Sequence, residues 1–416
     1  MPLPTPTESL SPGSGLHERF IARQPIFDRR LRVFGYELLF RAGPQNVFEP
    51  REQASSRVIV DSTMVFDLDT LIGSTKAFIN ANEEALQRGS VRLLPPARIV
   101  VEILEGVEPS PAMVRACTEL HEDGYTLALD DFVDHPKWKP LIGLASILKV
   151  DFRALDADAR KAIAKRYRPK GLELVAEKVE TQAEVREAEE FGYQYFQGFF
   201  FCRPQMISGR DIPAAKLTCL RLLSAVATPE MSFNDVEGLL KQEPALVYKL
   251  LRYLNSPLMG LRNEVHGVRD AIVLLGEDEF RRWISIVALV SMAGDKPSEL
   301  IHTALLRAHF CEELALLIGD TSRRSDFFLM GLLSVIDALL DQPMEQILGH
   351  LALSREVRLA LSGGKNSFRD VYDAVAAYER ADWEILSAIA ARIGAEEKRL
   401  PDCYRKAAEK SRLIFG

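Results

Sequence analysis

Short apolar runs alternate with helix-like patterns through the first half of the chain. The runs typical of buried strands cover residues 76–82, 98–105, 125–132, 146–152, 172–177 and 193–201, and residues 26–40 form two more strands around a polar turn. Helices are predicted at about 52–71, 110–124, 156–167 and 181–192, and the last three begin at the candidate N-caps Ser110, Asp156 and Thr181. This alternation indicates parallel α/β architecture. With no glycine-rich dinucleotide loop after the first strand, it favours a (β/α)8 barrel over a doubly wound sheet.

From about residue 214 the alternation stops and helical periodicity takes over. Apolar side chains recur at helical spacing near 246–254, 271–275, 284–292, 303–318, 327–340 and 370–392, which predicts an all-α domain. The first twelve residues contain four prolines and no apolar core. We therefore expect a disordered tail at 1–18, an α/β barrel domain at 19–212 and a helical domain at 213–416.

Composition narrows the possible environments. The chain has 416 residues and a formal charge of −7, which argues against a broad nucleic-acid surface. Its five cysteines are scattered, odd in number and without a C-x-x-C motif, which favours reduced thiols in a cytoplasmic protein over disulfides or a zinc site. The longest apolar run is too short to span a bilayer, so no membrane contact is expected.

Polar residues end the predicted strands of the first half. They are Glu37, Asn80, Glu102, Asp130, Asp131, Lys149, Glu177 and Gln197. Taken singly, each has an ordinary explanation, because an Asp pair often begins a loop, an Asn often forms a turn and a Lys can end a strand in solvent. In a barrel, however, the strand ends converge on one face, where barrel enzymes carry their catalytic groups. The joint pattern therefore favours a site.

These residue types suit hard cations. Carboxylate and amide oxygens without His or Cys are typical ligands of Mg²⁺, Mn²⁺ or Ca²⁺, and enough of them are present for two ions. Two ions would clamp the attacking and leaving oxygens in phosphodiester hydrolysis. Lys149 would orient water or balance phosphate charge, Glu177 could be a ligand or a general base, and Arg41 could bind a phosphate. No P-loop, G-x-S-x-G or H-E-x-x-H motif occurs.

Seven motifs in order resemble the EAL family, whose TIM-like barrels hydrolyse the bacterial second messenger cyclic di-GMP. They are Glu37-Leu-Leu-Phe-Arg41, Asn80 in Phe-Ile-Asn, Glu102-Ile-Leu-Glu105, Asp130-Asp131-Phe132, Lys149-Val-Asp151, Glu177-Lys-Val-Glu-Thr and Gln197-Gly-Phe-Phe-Phe-Cys-Arg203-Pro204. The resemblance implies a ligand set for Mg²⁺ or Mn²⁺ made of Glu37, Asn80, Glu102, Asp130 and Asp131. It implies that Lys149, Glu177 and Gln197 are catalytic, that Arg41, Arg203 and Pro204 bind substrate, and that the product is linear pGpG. It also leads us to expect a homodimer through this domain.

Two departures from the EAL pattern leave alternatives open. Residues Val133–Lys139 replace a glycine-rich loop that carries Ser or Thr, and Lys178 stands where the family usually has Gly. An altered loop could leave a sensor that binds cyclic di-GMP without turnover, or a scaffold that has lost the ligand as well. The intact ligand set favours the enzyme.

Residues 214–340 resemble the HDOD domain, a relative of HD phosphohydrolases. The matching segments are 250–257, 268–276 and 331–337, with Ile336-Asp337 where catalytic relatives have His-Asp. The chain contains no His-Asp dipeptide, so this half is expected to be a regulatory or interaction module with an unknown protein partner. An EAL domain followed by an HDOD domain is a known bacterial signalling arrangement.

Overall fold

A closed eight-stranded barrel forms the first half of the protein. The computed structural model describes residues 20–41, 68–204, 213–228, 231–255, 264–294 and 296–412. The strands are β1 Phe20–Asp28, β2 Val33–Arg41, β3 Lys76–Ala81, β4 Ile99–Ile103, β5 Thr126–Leu129, β6 Ile147–Asp151, β7 Glu173–Glu177 and β8 Tyr195–Gln197. Strand β1 runs antiparallel to both β2 and β8, and all other neighbours are parallel. The predicted barrel is confirmed.

Helices follow the strands and then continue alone. Those beside the barrel are α1 Leu68–Ile72, α2 Glu83–Arg88, α3 Pro111–Glu122, α4 Lys139–Ile142, α5 Ala157–Tyr167 and α6 Gln182–Phe191. The later ones are α7 Ala214–Ala227, α8 Phe233–Lys241, α9 Pro244–Leu254, α10 Val268–Met292, α11 Ser298–Leu317, α12 Arg324–Leu333, α13 Ile336–Leu340, α14 Met344–Gly349, α15 Arg355–Leu361, α16 Ser367–Glu379, α17 Trp383–Ile393 and α18 Leu400–Arg412. The all-α second half is therefore confirmed. None of the helices in the described ranges has the length and apolar content needed to cross a bilayer.

Local sequence features explain the helix boundaries. The side chains of Ser110, Asp156 and Thr181 each accept a hydrogen bond from a backbone N–H three residues later, as predicted for N-caps. Thr181 forms a complete capping box with Glu184. The predicted helix at 52–71 and the tail at 1–18 fall outside the described residues, except for α1.

The last predicted strand, 193–201, is too long. Strand β8 ends at Gln197, and a 3-10 helix occupies Phe199–Cys202. The break lies at Gly198, which has a φ of +146°, where a Cβ would stand 2.0 Å from the carbonyl oxygen of Val179. Only glycine fits this close backbone approach, so the chain turns there.

Side chains alternate along each strand and build the barrel interior in layers. The lower layer is apolar and consists of Ile26, Phe78, Val100, Ala128, Ile147 and Val175. Two residues further along the parallel strands, on the same face, come Asn80, Glu102, Asp130, Lys149 and Glu177. Because side chains two residues apart share a face, these polar residues form a ring directly above the apolar layer in the barrel interior.

The helical half packs against β1 and β2. Phe20 and Ala22 belong to the same apolar core as helices α11, α12 and α16. Tyr36 donates a 2.6 Å hydrogen bond to the buried carboxylate of Glu299 on α11. Arg41 forms a 2.9 Å ion pair with Glu397. The two halves therefore share a polar as well as an apolar contact.

Candidate metal-binding and catalytic site

The ammonium group of Lys149 lies at the centre of the polar ring. Its Nζ is 2.6 Å from Glu102 Oε1, 2.8 Å from Glu177 Oε1, 2.9 Å from Asp130 Oδ1 and 3.3 Å from Glu37 Oε2. The side chain of Lys149 is buried, and the contact with Glu102 is an ion pair without hydrogen-bond geometry. Four carboxylates from β2, β4, β5 and β7 therefore meet around one cation, as the strand-end pattern predicts.

Two amide side chains orient the carboxylate of Glu37. Gln197 Nε2 donates to Glu37 Oε2 over 2.6 Å, and Asn80 Nδ2 donates to Glu37 Oε1 over 3.0 Å. Gln197 Nε2 also lies 3.3 Å from Gln24 Oε1, an acceptor on β1. Both oxygens of Glu37 are thus fixed by donors from other strands.

Several buried oxygens in the ring have no hydrogen-bond partner among the described residues. They are Asn80 Oδ1, both carboxylate oxygens of Glu102, Glu177 Oε2 and Gln197 Oε1. A buried polar atom left without a partner is costly, and with the carboxyl groups ionised these atoms are all acceptors, which a cation can satisfy. The donor set therefore fits a hard divalent ion with oxygen ligands.

Burial and mutual repulsion shift the pKa values of the carboxyl groups in the ring. Burial raises the pKa of Glu177 to about 8, although Lys149 opposes the shift. Burial and the nearby Glu37 raise the pKa of Glu102 well above its usual range. Burial also disfavours the charged form of Glu37, but Lys149 and the two amide donors outweigh it and hold the pKa of Glu37 below its usual range. Four buried carboxylates exceed the charge of the single ammonium group of Lys149, so without a metal ion some of them retain protons.

Asp131 belongs to a second acidic group at the mouth of the barrel. Carboxylate oxygens of Glu105, Asp130 and Asp131 all lie within 4.8 Å of one another. Asp131 follows the end of β5 with a left-handed φ of +42°, which lets two consecutive aspartates face one mouth. Asp130 is shared between this group and the ring around Lys149.

The loop that departs from the EAL pattern is held by specific contacts. Asp134 accepts 2.6 Å hydrogen bonds from Arg166 Nη1 and from the hydroxyl of Tyr167. Lys137 Nζ donates to the backbone carbonyl of Glu105 over 2.7 Å, and the indole of Trp138 is buried. Residues 133–139 therefore have a defined conformation beside the second acidic group.

Two of the three predicted substrate-binding residues, Arg41 and Arg203, form ion pairs with residues outside the polar ring. Besides Glu397, Arg41 Nη1 lies 3.4 Å from Ser387 Oγ in the helical half. Arg203 Nη2 forms a 2.6 Å ion pair with Glu180, and Pro204 follows it at the end of the described barrel segment. Contact of Arg41, Arg203 and Pro204 with substrate stays a prediction.

Gln24 was not singled out from the sequence, and Lys178 was noted only as a departure from the EAL pattern. Gln24 joins the network because it lies opposite Glu37 in the β1–β2 register. Lys178 contacts Asp131 and Asp151 at the mouth. Gln24 lies two residues before Ile26 of the apolar layer, so the same alternation could have identified it.

Matches to known families agree with this geometry. A model of the EAL domain matches residues 15–204, and a model of the HDOD domain matches residues 212–347. Relatives of similar length match across both domains. The chain therefore belongs to the family of proteins in which an EAL domain precedes an HDOD domain.

Two curated relatives cover most of the chain. The cyclic di-GMP phosphodiesterase CdgJ of Vibrio cholerae is 35% identical over 377 residues, which is 89% of this chain and 87% of CdgJ. The uncharacterized protein YuxH of Bacillus subtilis is 33% identical over 402 residues, which is 94% of this chain and 97% of YuxH. Among solved structures, the calcium and cyclic di-GMP complex of Klebsiella pneumoniae BlrP1 aligns with 23% identity and a TM-score of 0.39, over 47% of this chain and 58% of that one.

Proposed function

We propose that the protein is a metal-dependent phosphodiesterase that hydrolyses cyclic di-GMP to linear pGpG. The observation that carries the proposal is the ring of buried oxygen ligands around Lys149, because unpartnered acceptor oxygens at a barrel mouth suit divalent cations. The similarity to a relative named for this activity, over 89% of this chain, supports the choice of substrate.

The ligands proposed for Mg²⁺ or Mn²⁺ are Glu37, Asn80, Glu102, Asp130 and Asp131. The adjoining acidic group at Asp130 and Asp131 supports two ions in place of one. When bound, the cations supply Lewis-acid polarisation of the phosphodiester and neutralise its charge. The chain's own part is to hold these oxygens in fixed positions, and the two amide donors on Glu37 do so.

Glu177 and Lys149 are proposed to handle the water, with Gln197 positioning Glu37. One water adds to one of the two phosphodiester linkages, the bond from phosphorus to the leaving ribose oxygen breaks, and that oxygen takes up a proton. Glu177 lies 2.8 Å from Lys149, and in its ionised form it can accept a proton from the attacking water. Lys149 remains charged throughout, because its carboxylate neighbours outweigh burial and raise its pKa well above the usual value.

Substrate contacts are proposed for Arg41, Arg203 and Pro204. The guanidinium of Arg41 forms an ion pair with Glu397 of the helical half, so a phosphate bound by Arg41 would lie beside a contact between the two halves. We also propose a cytoplasmic location, a homodimer through the barrel and a protein partner for the helical half.

Turnover of cyclic di-GMP with Mg²⁺ or Mn²⁺ tests the proposal. Wild-type protein should release pGpG, and Glu37→Ala should not, because it removes a ligand that amide donors from two other strands orient. Glu122→Ala changes an exposed carboxylate on α3 and should behave as wild type. Wild-type protein that forms no pGpG with either metal would refute the phosphodiesterase.

A sensor that binds cyclic di-GMP without turnover is the second candidate. The observation that favours it is the fixed loop at 133–139, which is pinned through Asp134 where the family has flexible glycines. Tight binding of cyclic di-GMP by wild-type protein, with no product over a long incubation, would support the sensor.

A further inference from the structure

Lys178 adopts a backbone conformation that lysine rarely takes. It directly follows Glu177 at the end of β7, and its φ is +56°. The left-handed backbone conformation is energetically unfavourable for residues other than glycine, and residues that adopt it are often found at functional sites. An ordinary surface ion pair does not require this conformation, because lysine reaches a carboxylate from regular backbone as well.

The ammonium group of Lys178 is fixed between two aspartates at the barrel mouth. Its Nζ lies 2.5 Å from Asp151 Oδ2 and 3.5 Å from Asp131 Oδ1. Asp151 is itself held, since its Oδ1 accepts hydrogen bonds from the backbone N–H groups of Arg153 and Ala154 at 2.6 and 3.2 Å. Asp151 therefore anchors the lysine, and the lysine points its charge at Asp131.

Asp131 is the member of the acidic group at the mouth that the lysine reaches. Asp131 shares that group with Glu105 and Asp130, and the nearby Lys149 contacts only Asp130 of the three. A cation held by Asp131 would stand beside Lys178, and two like charges at such a distance repel each other. The positive charge of Lys178 would therefore lower the affinity of the second acidic group for a cation.

We propose that Lys178 is a positioning residue that supplies a built-in counter-charge for Asp131 and weakens the second of two divalent-cation sites. The inference rests on the proposed function, because it presumes that both acidic groups take ions. The first site, around Glu37 and Glu102, is affected less, since the contacts of Lys178 lie with Asp131 and Asp151. The protein therefore fills its two sites at well-separated metal concentrations.

Titration of the metal-free full-length protein with Mn²⁺ alone, followed by electron paramagnetic resonance of free Mn²⁺, tests the proposal. Lys178→Gln and Lys178→Gly should bind the second ion about ten-fold more tightly than wild type, the order expected for removing one partly exposed charge. Lys178→Arg keeps the charge and should retain the weak second site. Lys165→Gln, at an exposed position on α5, should match wild type.

Salt and stability measurements complete the test. The difference between Lys178→Gln and wild type should shrink as potassium chloride is raised, because salt screens partly exposed charges. Thermal unfolding of each variant checks that it folds, and Lys178→Gln keeps a side chain of similar reach in case the glycine variant does not.

Equal second-site affinities in wild type and Lys178→Gln would overturn the inference, as would weaker binding in the variant or no Mn²⁺ binding by either protein. Release of pGpG by the wild-type protein is measured in a separate experiment. Wild-type turnover with unchanged second-site affinity in Lys178→Gln would refute the counter-charge and leave the phosphodiesterase intact. Absence of wild-type turnover would refute the phosphodiesterase itself.

Discussion

Removing the central ammonium group should destabilise the metal-free protein in a pH-dependent way. Lys149→Met leaves Glu37, Glu102, Asp130 and Glu177 around a methyl group in a buried ring. Breaking a buried ion pair by deleting one partner costs about 3–5 kcal/mol. We expect that loss in the free energy of unfolding above about pH 8.

The sign of the pH dependence follows from the raised carboxyl pKa values. Glu177 has a pKa of about 8 in the folded protein and a usual value of 4.5, so the folded state holds the extra proton between these values. Stability from a protonated buried carboxyl is present at low pH and is lost as pH rises through that window. Without Lys149 the carboxyl pKa values rise further, so the deficit of the variant should narrow towards pH 5.

Denaturation by urea at about pH 5 and pH 8, with and without Mn²⁺, measures this effect. Mn²⁺ should recover more stability in Lys149→Met than in wild type, since the ion takes the place of the missing charge. Lys165→Met serves as the exposed control. A variant as stable as wild type at pH 8 without metal would show that the four carboxylates do not depend on the lysine.

Three further predictions concern the backbone, the domain contact and the metal. Gly198→Ala should cost about 3 kcal/mol or more in urea unfolding, because its Cβ would stand 2.0 Å from the Val179 carbonyl oxygen. Tyr36→Phe should cost about 1–3 kcal/mol in the same assay, because it leaves the buried carboxylate of Glu299 without its 2.6 Å donor. Mn²⁺ binding at about pH 7 should release at least one proton, measured by calorimetry in buffers of different ionisation enthalpy, because Glu177 is protonated there.

Each of these has a matched control. Gly124→Ala also places alanine at positive φ but meets no atom within 4 Å, so it should cost only about 1 kcal/mol. Tyr195→Phe removes a 3.1 Å hydrogen bond to Glu173 within the barrel and should leave the domain contact intact. Glu177→Gln should release fewer protons than wild type. Heats of Mn²⁺ binding that do not vary with buffer would contradict the assignment of a bound proton.

Much of the barrel was predictable because the strand period and the chemistry of its residues coincide. Val100 and Glu102, or Ile147 and Lys149, stand two residues apart on one face, so an apolar run ending in a charge identifies both the strand and its inner side. The capping box at Thr181 is equally local. Such features depend on a few consecutive residues and survive in the fold.

What the sequence could not supply depends on long-range contacts. Phe199 to Phe201 look like strand residues, yet the close approach of Gly198 to Val179 ends β8 early. The partner of Arg41 is Glu397, more than three hundred residues away, and no local pattern connects them. A long run of apolar residues at helical spacing also does not show where one helix ends and the next begins, as between α12 and α13.

Strand β2 connects the proposed metal site in the barrel to the helical half of the protein. Neighbouring residues point to opposite faces, so Glu37 faces the metal ligands while Tyr36 is fastened to Glu299 of the helical half. Because the strand is rigid, a movement of Tyr36 also moves Glu37. If a molecule bound to the helices and the metal ions in the barrel favour the same position of β2, each would raise the affinity for the other by the same factor.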